Sequence, residues 1–357
     1  MIPRLLAALV TLSGAEAALF DFPTQNRALL EGRPQDFYMY VERNFEGNVS
    51  HPWEGGQFGF VRGPQRTTQG VIYTSLHEGV DILPLRRDAA GTPLDDVLAS
   101  ADGRVVHVSP EPRASNYGRY IVMEHLIEGS PIYTLYAHLA SAAVVPGQMV
   151  RQGDVIGRLG FSGAGIDRER SHVHFEIALL LSENFEAWFG ARSAGDPNRH
   201  GLFNGMNLCG TNPSDILVAA ARDPGFQLTR FLGGLEPVFK LTIPSSPDLS
   251  LLRRYPWLVA GEIANPDAWT IAFTGTGFPI RAVASPGPVS EPKVVWARET
   301  PGTTYSQATR GLVGGPAGQP RLTESGHRFV SLLLAPPGAP EVPDARKVPV
   351  PKKPRGR

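Results

Sequence analysis

Residues 171–176 read SHVHFE, with two histidines one residue apart inside a run that otherwise looks like a buried strand. On a strand, side chains alternate between faces. His172, His174 and Glu176 therefore share one face, and Val173, Phe175 and Ile177 share the other. The apolar set fits a core, so the imidazoles converge on whatever stands opposite. Taken alone, His-x-His reads first as two solvent-facing histidines on a sheet. A second stretch, LHEGVDILP at 76–84, holds His77 and Asp81. Fully extended, these two would lie ~13 Å apart at ~3.3 Å per residue, too far for one ion. A helix would make them neighbours, but Gly79, Val80, Ile82 and Pro84 oppose a helix. A bend at Gly79 would bring them together. A third stretch, TLYAHLA at 134–140, ends a strand-like run on His138. Each stretch is weak singly. Together they offer His77, Asp81, His138, His172 and His174 in one β-region. Three protein ligands with one open position is how catalytic zinc is held, and the lack of cysteine ligands argues against a closed structural site. Such a site lowers the pKa of a bound water from ~15.7 to about 7 and polarises a carbonyl. The two remaining histidines can accept a proton and donate to a developing oxyanion.

The elements that must position these residues are mostly strands. VIYTSL, RVVHVS, RYIVMEH, PIYTLYAHL and HVHFEIALLL carry the aromatic and β-branched content of strands. Asp102-Gly103 reads as a hairpin signal. Pro146-Gly147 and Gly153-Asp154 read as tight turns between short strands. Residues 183–212 form a long Gly- and Asn-rich connection, and its His200 reads as an ordinary loop histidine. PSDILVAAARD at 213–223 predicts a helix, with Pro213 early and Ser214 or Asp215 near its start. Residues 223–334 mix one helix (SPDLSLLRRY) with strands PVFKLTIP, WTIAFTG and RFVSLLL, and carry no motif.

At this point the chain resembles the lysostaphin/LytM-type zinc metallopeptidases of bacterial cell walls. The resemblance rests on H-x-x-x-D in HEGVD, then Y-A-H-L, then H-x-H-F-E in HVHFE, in that order. It runs from about Val71 to Leu180 and includes the turns of VVPGQMVRQGDVIGRLG. It implies a mainly β fold, an antiparallel β-sheet groove. It also implies one Zn2+ per chain held by His77, Asp81 and His174, with His138 and His172 as the catalytic pair. The implied activity is hydrolysis of peptide bonds in peptidoglycan stems or cross-bridges. Which of His138 and His172 takes the proton is not decided by spacing. The connection after Glu176 is longer than is usual in this family.

Charge and composition fit this reading. Lys+Arg 34 balances Asp+Glu 34, which gives no reason to expect nucleic acid or an anionic membrane as partner. Arginine carries the positive charge up to Lys240, the first lysine. The turn pattern at 144–160 also resembles lipoyl- and biotinyl-type carrier barrels, but that chemistry needs a lysine at a hairpin tip. Cys209 is the only cysteine, so no internal disulfide is possible. The N-terminus reads as a cleaved leader: Arg4, an apolar run Leu5–Leu12, and a small-x-small site at Ala15-Glu16-Ala17. No cysteine follows the cleavage site, so a lipid-anchored start is not expected.

The expected organisation is a signal peptide at 1–17 and an N-terminal extension at 18–70 laid on the next domain. The peptidase domain covers 71–222 and a C-terminal α+β segment of unassigned role covers 223–334. A Pro-rich, basic, disordered tail covers 335–357. The expected protein is exported to the periplasm or cell wall, has no stable membrane anchor and acts on peptidoglycan peptides. The main alternative is a regulatory LytM-type protein that binds and activates other wall hydrolases. A carbohydrate- or lipid-modifying metalloenzyme is a further one.

Overall fold

The structure, a computed structural model, describes residues 18–193, 197–246, 249–261 and 266–337. The leader read at 1–17 lies outside the described residues, as does the tail beyond 337. No helix among the described residues is long and apolar enough to cross a membrane.

The segment at 18–70 is more deeply built in than a layer on a finished domain. Phe20, Phe22, Phe37 and Tyr38 sit in the main hydrophobic core. After a small hairpin of β1 (Arg43–Phe45) and β2 (Asn48–Ser50), β3 (Gly59–Thr67) pairs along its length with β4 (Gly70–His77). The expected boundary at 70/71 therefore falls inside β4, just past the turn of a hairpin. Hairpin pairing is a tertiary fact that the irregular sequence GFVRGPQRT does not announce.

The central sheet is antiparallel and mainly β architecture is what the strand-like runs required. It is built from β5 (Val80–Ile82), β7 (Gly103–Ser109), β8 (Tyr120–Ile127), β9 (Ser130–Ala137), β11 (Met149–Val150), β13 (Val173–Leu180) and β14 (Leu208–Thr211), in the order β11-β7-β8-β9-β13-β14. β5 shares the far edge of β13 with β14: it pairs with Val173–Phe175, and β14 pairs with Ile177–Leu180. A smaller sheet joins β6 (Asp96–Leu98), β10 (Ser141–Ala142) and β12 (Val155–Arg158). Gly147 and Gly153 have φ of 90° and 84°, so the two turns between these short strands need glycine. Asp102-Gly103, in contrast, makes no hairpin: β6 pairs with β12, and β7 with β8 and β11. The local signal marked only the entry to β7.

All eight residues of β13 are buried. Val173, Phe175, Ile177 and Leu179 enter the main core, whereas Ala178 and Leu180 join a second cluster with Tyr120, Val122, Tyr133 and Leu135. Each such large apolar side chain contributes roughly 1.5–3 kcal/mol by leaving water. The second face is covered by part of the connection at 183–212. That connection is not plain loop: it holds α1 (Phe185–Gly190) and β14. α2 (Pro213–Arg222) follows, and its N-cap is Asn212, whose side chain accepts from the Ser214 amide.

The C-terminal segment holds α3 (Leu228–Gly233), β15 (Phe239–Pro244), α4 (Ser250–Arg254), β16 (Ala268–Phe273), β17 (Pro279–Ser285), β18 (Lys293–Ala297), α5 (Tyr305–Ala308), β19 (Val313–Gly314), β20 (Arg321–Leu322) and α6 (Glu324–Leu333). Its sheet runs β17-β16-β15-β18. RFVSLLL, expected as a strand, lies in α6. Gly326, Val330 and Leu333 are buried at helical spacing, and the Thr323 hydroxyl caps the Gly326 amide. Ala335, expected to open the tail, is buried, and its carbonyl accepts from Asn184 Nδ2 at 2.7 Å.

Candidate metal centre

Strand register brings the site together. In the β13–β5 pair His174 stands directly opposite Asp81, and in the β13–β9 pair opposite Ala137, next to His138. Directly opposed residues share a face, with Cβ atoms ~4.5–5.5 Å apart. His77 ends β4, and the chain turns at Gly79 before β5. A Cβ on Gly79 would lie 2.4 Å from the Phe175 carbonyl oxygen and 2.9 Å from His174 Nε2. The bend therefore needs glycine because of close approach. It carries His77 Nε2 to 3.0 Å from Asp81 Oδ1.

His174 Nδ1 lies 2.9 Å from the same Asp81 oxygen and 3.1 Å from His77 Nε2. These three separations are near the ~3.3 Å edge of a tetrahedron with bonds of ~2.0–2.1 Å. Among the described residues, His77, Asp81 and His174 are the group whose ligand atoms cluster this way. All three are buried, at 3%, 2% and 5% exposure, so these are not solvent-facing histidines on a sheet. Each atom turned away from the cluster has a partner. His77 Nδ1 donates to the Gln57 carbonyl at 2.7 Å. Asp81 Oδ2 accepts from Arg62 at 2.6 Å. His174 Nε2 faces Glu176 Oε1 at 2.9 Å, and that oxygen also accepts from Tyr117 at 2.6 Å. Metal-ligating histidines are oriented in this manner by a carbonyl or carboxylate on their other nitrogen. The donor set fits a small cation of the zinc type.

His138 and His172 stand beside the three, with His138 ring centroids 4.8 Å from His172 and 5.8 Å from His174. His138 has φ of 62°, a left-handed backbone that histidine tolerates better than most side chains and that is found at functional sites. Its amide donates to the Tyr117 carbonyl at 2.9 Å, and its Nδ1 to the Ser162 carbonyl at 2.9 Å. His172 Nδ1 donates to the Arg170 carbonyl at 2.6 Å, and its Nε2 lies 3.4 Å from Asp81 Oδ1. Each ring is thus fixed through Nδ1 and presents Nε2.

Electrostatics sorts the group. Burial would raise the Asp81 carboxyl, but His172, His77 and the bond from His174 hold it well below the usual carboxylate range. Burial, joined by His172 and His174, pushes the His138 imidazole well down, so it is neutral at pH 7. Burial works against charge on His174 too, yet the bonds to Asp81 and Glu176 outweigh it and raise this ring to about 9. Two carboxylates thus favour positive charge at the centre of the set. Burial and then Glu176 keep Tyr117 a phenol, able to donate.

His200 lies apart from the set, beside His107 and Tyr120. Sequence reading assigned nothing to Gln57, Arg62, Tyr117 or Ser162. Glu176 alone had a signal, its shared parity with His174 in HVHFE. The others reach the site by tertiary packing and have no local signature.

Residues 75–184 match the sequence model of Peptidase family M23. An uncharacterized metalloprotease of Haemophilus influenzae is 35% identical over 103 residues, 29% of this chain and 18% of its own length. The peptidoglycan DD-endopeptidase ShyA of Vibrio cholerae is 32% identical over 117 residues, 32% of this chain and 23% of its own. The chain thus spans about a fifth of the length of these curated relatives. Among solved structures, the catalytic domain of the antimicrobial peptidase lysostaphin from Staphylococcus simulans aligns at 19% identity. It covers 54% of this chain and 97% of that one, with a TM-score of 0.29.

Proposed function

We propose that the chain, whose residues 75–184 match Peptidase family M23, is a zinc endopeptidase of the lysostaphin/LytM type that cuts peptide bonds of peptidoglycan stems or cross-bridges. The observation that carries the reading is one buried set of His77, Asp81 and His174 with two further histidines packed beside it. The similarity to a peptidoglycan endopeptidase supports the substrate class.

His77 Nε2, Asp81 Oδ1 and His174 Nδ1 would hold the metal. When bound, zinc supplies Lewis-acid polarisation of a carbonyl and a more acidic water. The protein's own histidines handle the protons. His138 is neutral and its Nδ1–H is committed to Ser162, so its Nε2 lone pair is the acceptor. Both nitrogens of His172 face oxygen acceptors, Arg170 O and Asp81 Oδ1, which is a donor's arrangement. We therefore assign His138 the role of general base and His172 that of donor to the developing oxyanion. In the net step, water adds to the carbonyl carbon and the C–N bond breaks. The proton held at His138 passes to the leaving amine. The chain would act outside the cytoplasm, with the leader-like residues 1–17 as its export signal.

Mass-spectrometric product analysis tests this. The chain from Ala18 is incubated with purified peptidoglycan, with zinc, with chelator, and as His174→Ala. New peptide termini should appear only with zinc and the intact histidine, and their masses name the bond. Termini that persist with chelator would defeat the reading. Zinc uptake without cleavage would favour a metal-retaining regulator.

A further inference from the structure

The segment ahead of the family-matched region reaches the ligand set at three points. Met39 N donates to the Asp81 backbone carbonyl at 2.8 Å. Gln57 O accepts from His77 Nδ1 at 2.7 Å. Arg62, on β3, spans the Gly55 carbonyl through Nε at 2.9 Å and Asp81 Oδ2 through Nη2 at 2.6 Å. The position of that guanidinium is prepared by glycine. A Cβ on Gly55 would lie 2.1 Å from Val41 Cγ2, and one on Gly56 would lie 2.3 Å from the Met39 carbonyl oxygen. Only a chain without side chains here lets the turn at 53–56 lie on residues 39–41. That fit places the Gly55 carbonyl where Arg62 can hold it.

A carboxylate can rotate to offer either oxygen or both. In this protein Oδ2 is committed to Arg62, and Oδ1 alone faces His77 Nε2 and His174 Nδ1. The Asp81 side chain is 3% exposed, whereas that of Arg62 is 34% exposed. Loss of Arg62 would leave a buried, charged oxygen without its partner, and the carboxylate would turn to find another. The geometry points to Arg62 as a positioning residue that presents Asp81 to the metal through Oδ1 only. Residues 37–62 are then part of the metal centre. This rests on the proposed metal role of His77, Asp81 and His174. A guanidinium near a dication also repels it, an effect of opposite sign, so the direction of the change on removing Arg62 is itself diagnostic. Lysine keeps the charge but has no planar fork to bridge Gly55 and Asp81.

The experiment uses the full chain, stripped of metal and titrated with zinc against a chromophoric competitor. Wild type, R62M and R62K are compared, and thermal unfolding of each metal-free protein reports its fold. Positioning predicts zinc affinity lower by about 10–100-fold in R62M, the usual effect of losing an outer partner. R62K should fall as well, and it carries the test if R62M does not fold. Affinity unchanged or tighter in R62M, or full affinity in R62K, overturns the inference while leaving the metal reading intact. A wild-type chain that takes up no zinc overturns both.

Discussion

At the scale of the residue, nine histidines do at least three different jobs. His138 and His172 are held alike through Nδ1, yet one is a neutral acceptor and the other faces two acceptors. His125 does structural work. It is buried, with Nδ1 on the Asp102 carbonyl at 2.8 Å and Nε2 at 2.7 Å from the Thr134 hydroxyl. Burial pushes it down to about 4. In the unfolded chain the ring takes a proton below ~6.5. Between those values the unfolded state binds more protons, so stability falls as pH falls. The contribution is intact above pH ~6.5, and about 3 kcal/mol is lost once pH drops below about 4. In His125→Gln, denaturant unfolding should show a pH 7 to pH 4 stability loss smaller by about that amount. Parallel profiles for the two proteins would refute it. At this scale much of the site was legible, because parity on one strand already grouped His172, His174 and Glu176. Arg62 and Gln57 were not, because nothing local distinguishes a guanidinium bound for a ligand from one bound for solvent.

At the scale of the element, the β4–β5 bend and the register of β13 make the site. The sequence problem was that His77 and Asp81 are too far apart on a straight strand, and Gly79 resolves it by close approach to Phe175 and His174. Gly79→Ala should therefore cost more than a glycine-to-alanine change in an open turn. The added carbon meets backbone at 2.4 Å, and overpacking of this kind costs typically 1–3 kcal/mol. The expected outcome is a lowered Tm and substoichiometric zinc after reconstitution; wild-type Tm and full zinc uptake would show that the bend does not need glycine. Strands were legible where β-branched and aromatic residues repeat, as in RYIVMEH. RFVSLLL was misread because a short apolar run has no clear period, and the evidence for α6 lay upstream in the Thr323 cap and Gly326. Asp102-Gly103 was misread because a turn signal does not say which strands will pair.

At the scale of the whole molecule, the hydrophobic core runs without a break from Phe20 to Ala335. Specific bonds cross the expected 222/223 boundary. Tyr255 OH accepts from the Leu180 amide at 2.8 Å, Trp188 Nε1 donates to Ser331 Oγ at 2.9 Å, and Glu128 caps the amides of Leu228 and Thr229 at 2.7 and 3.1 Å. A core shared in this way has no signature in composition along the chain. A fragment of residues 71–222 should thus fail to unfold cooperatively, while the full chain melts in a single transition; calorimetry of both checks this, and a sharp transition in the fragment would contradict it. The central claim, that the histidines beside the metal set perform peptide hydrolysis, has one most direct test. Wild type and His138→Ala are loaded with zinc, their bound metal is counted, and new amino termini in purified peptidoglycan are quantified. The account predicts one zinc per chain in both proteins and new termini with the wild type, reduced by roughly 10²–10⁴-fold in the variant. Equal release by the two proteins, or none from zinc-loaded wild type, would contradict it.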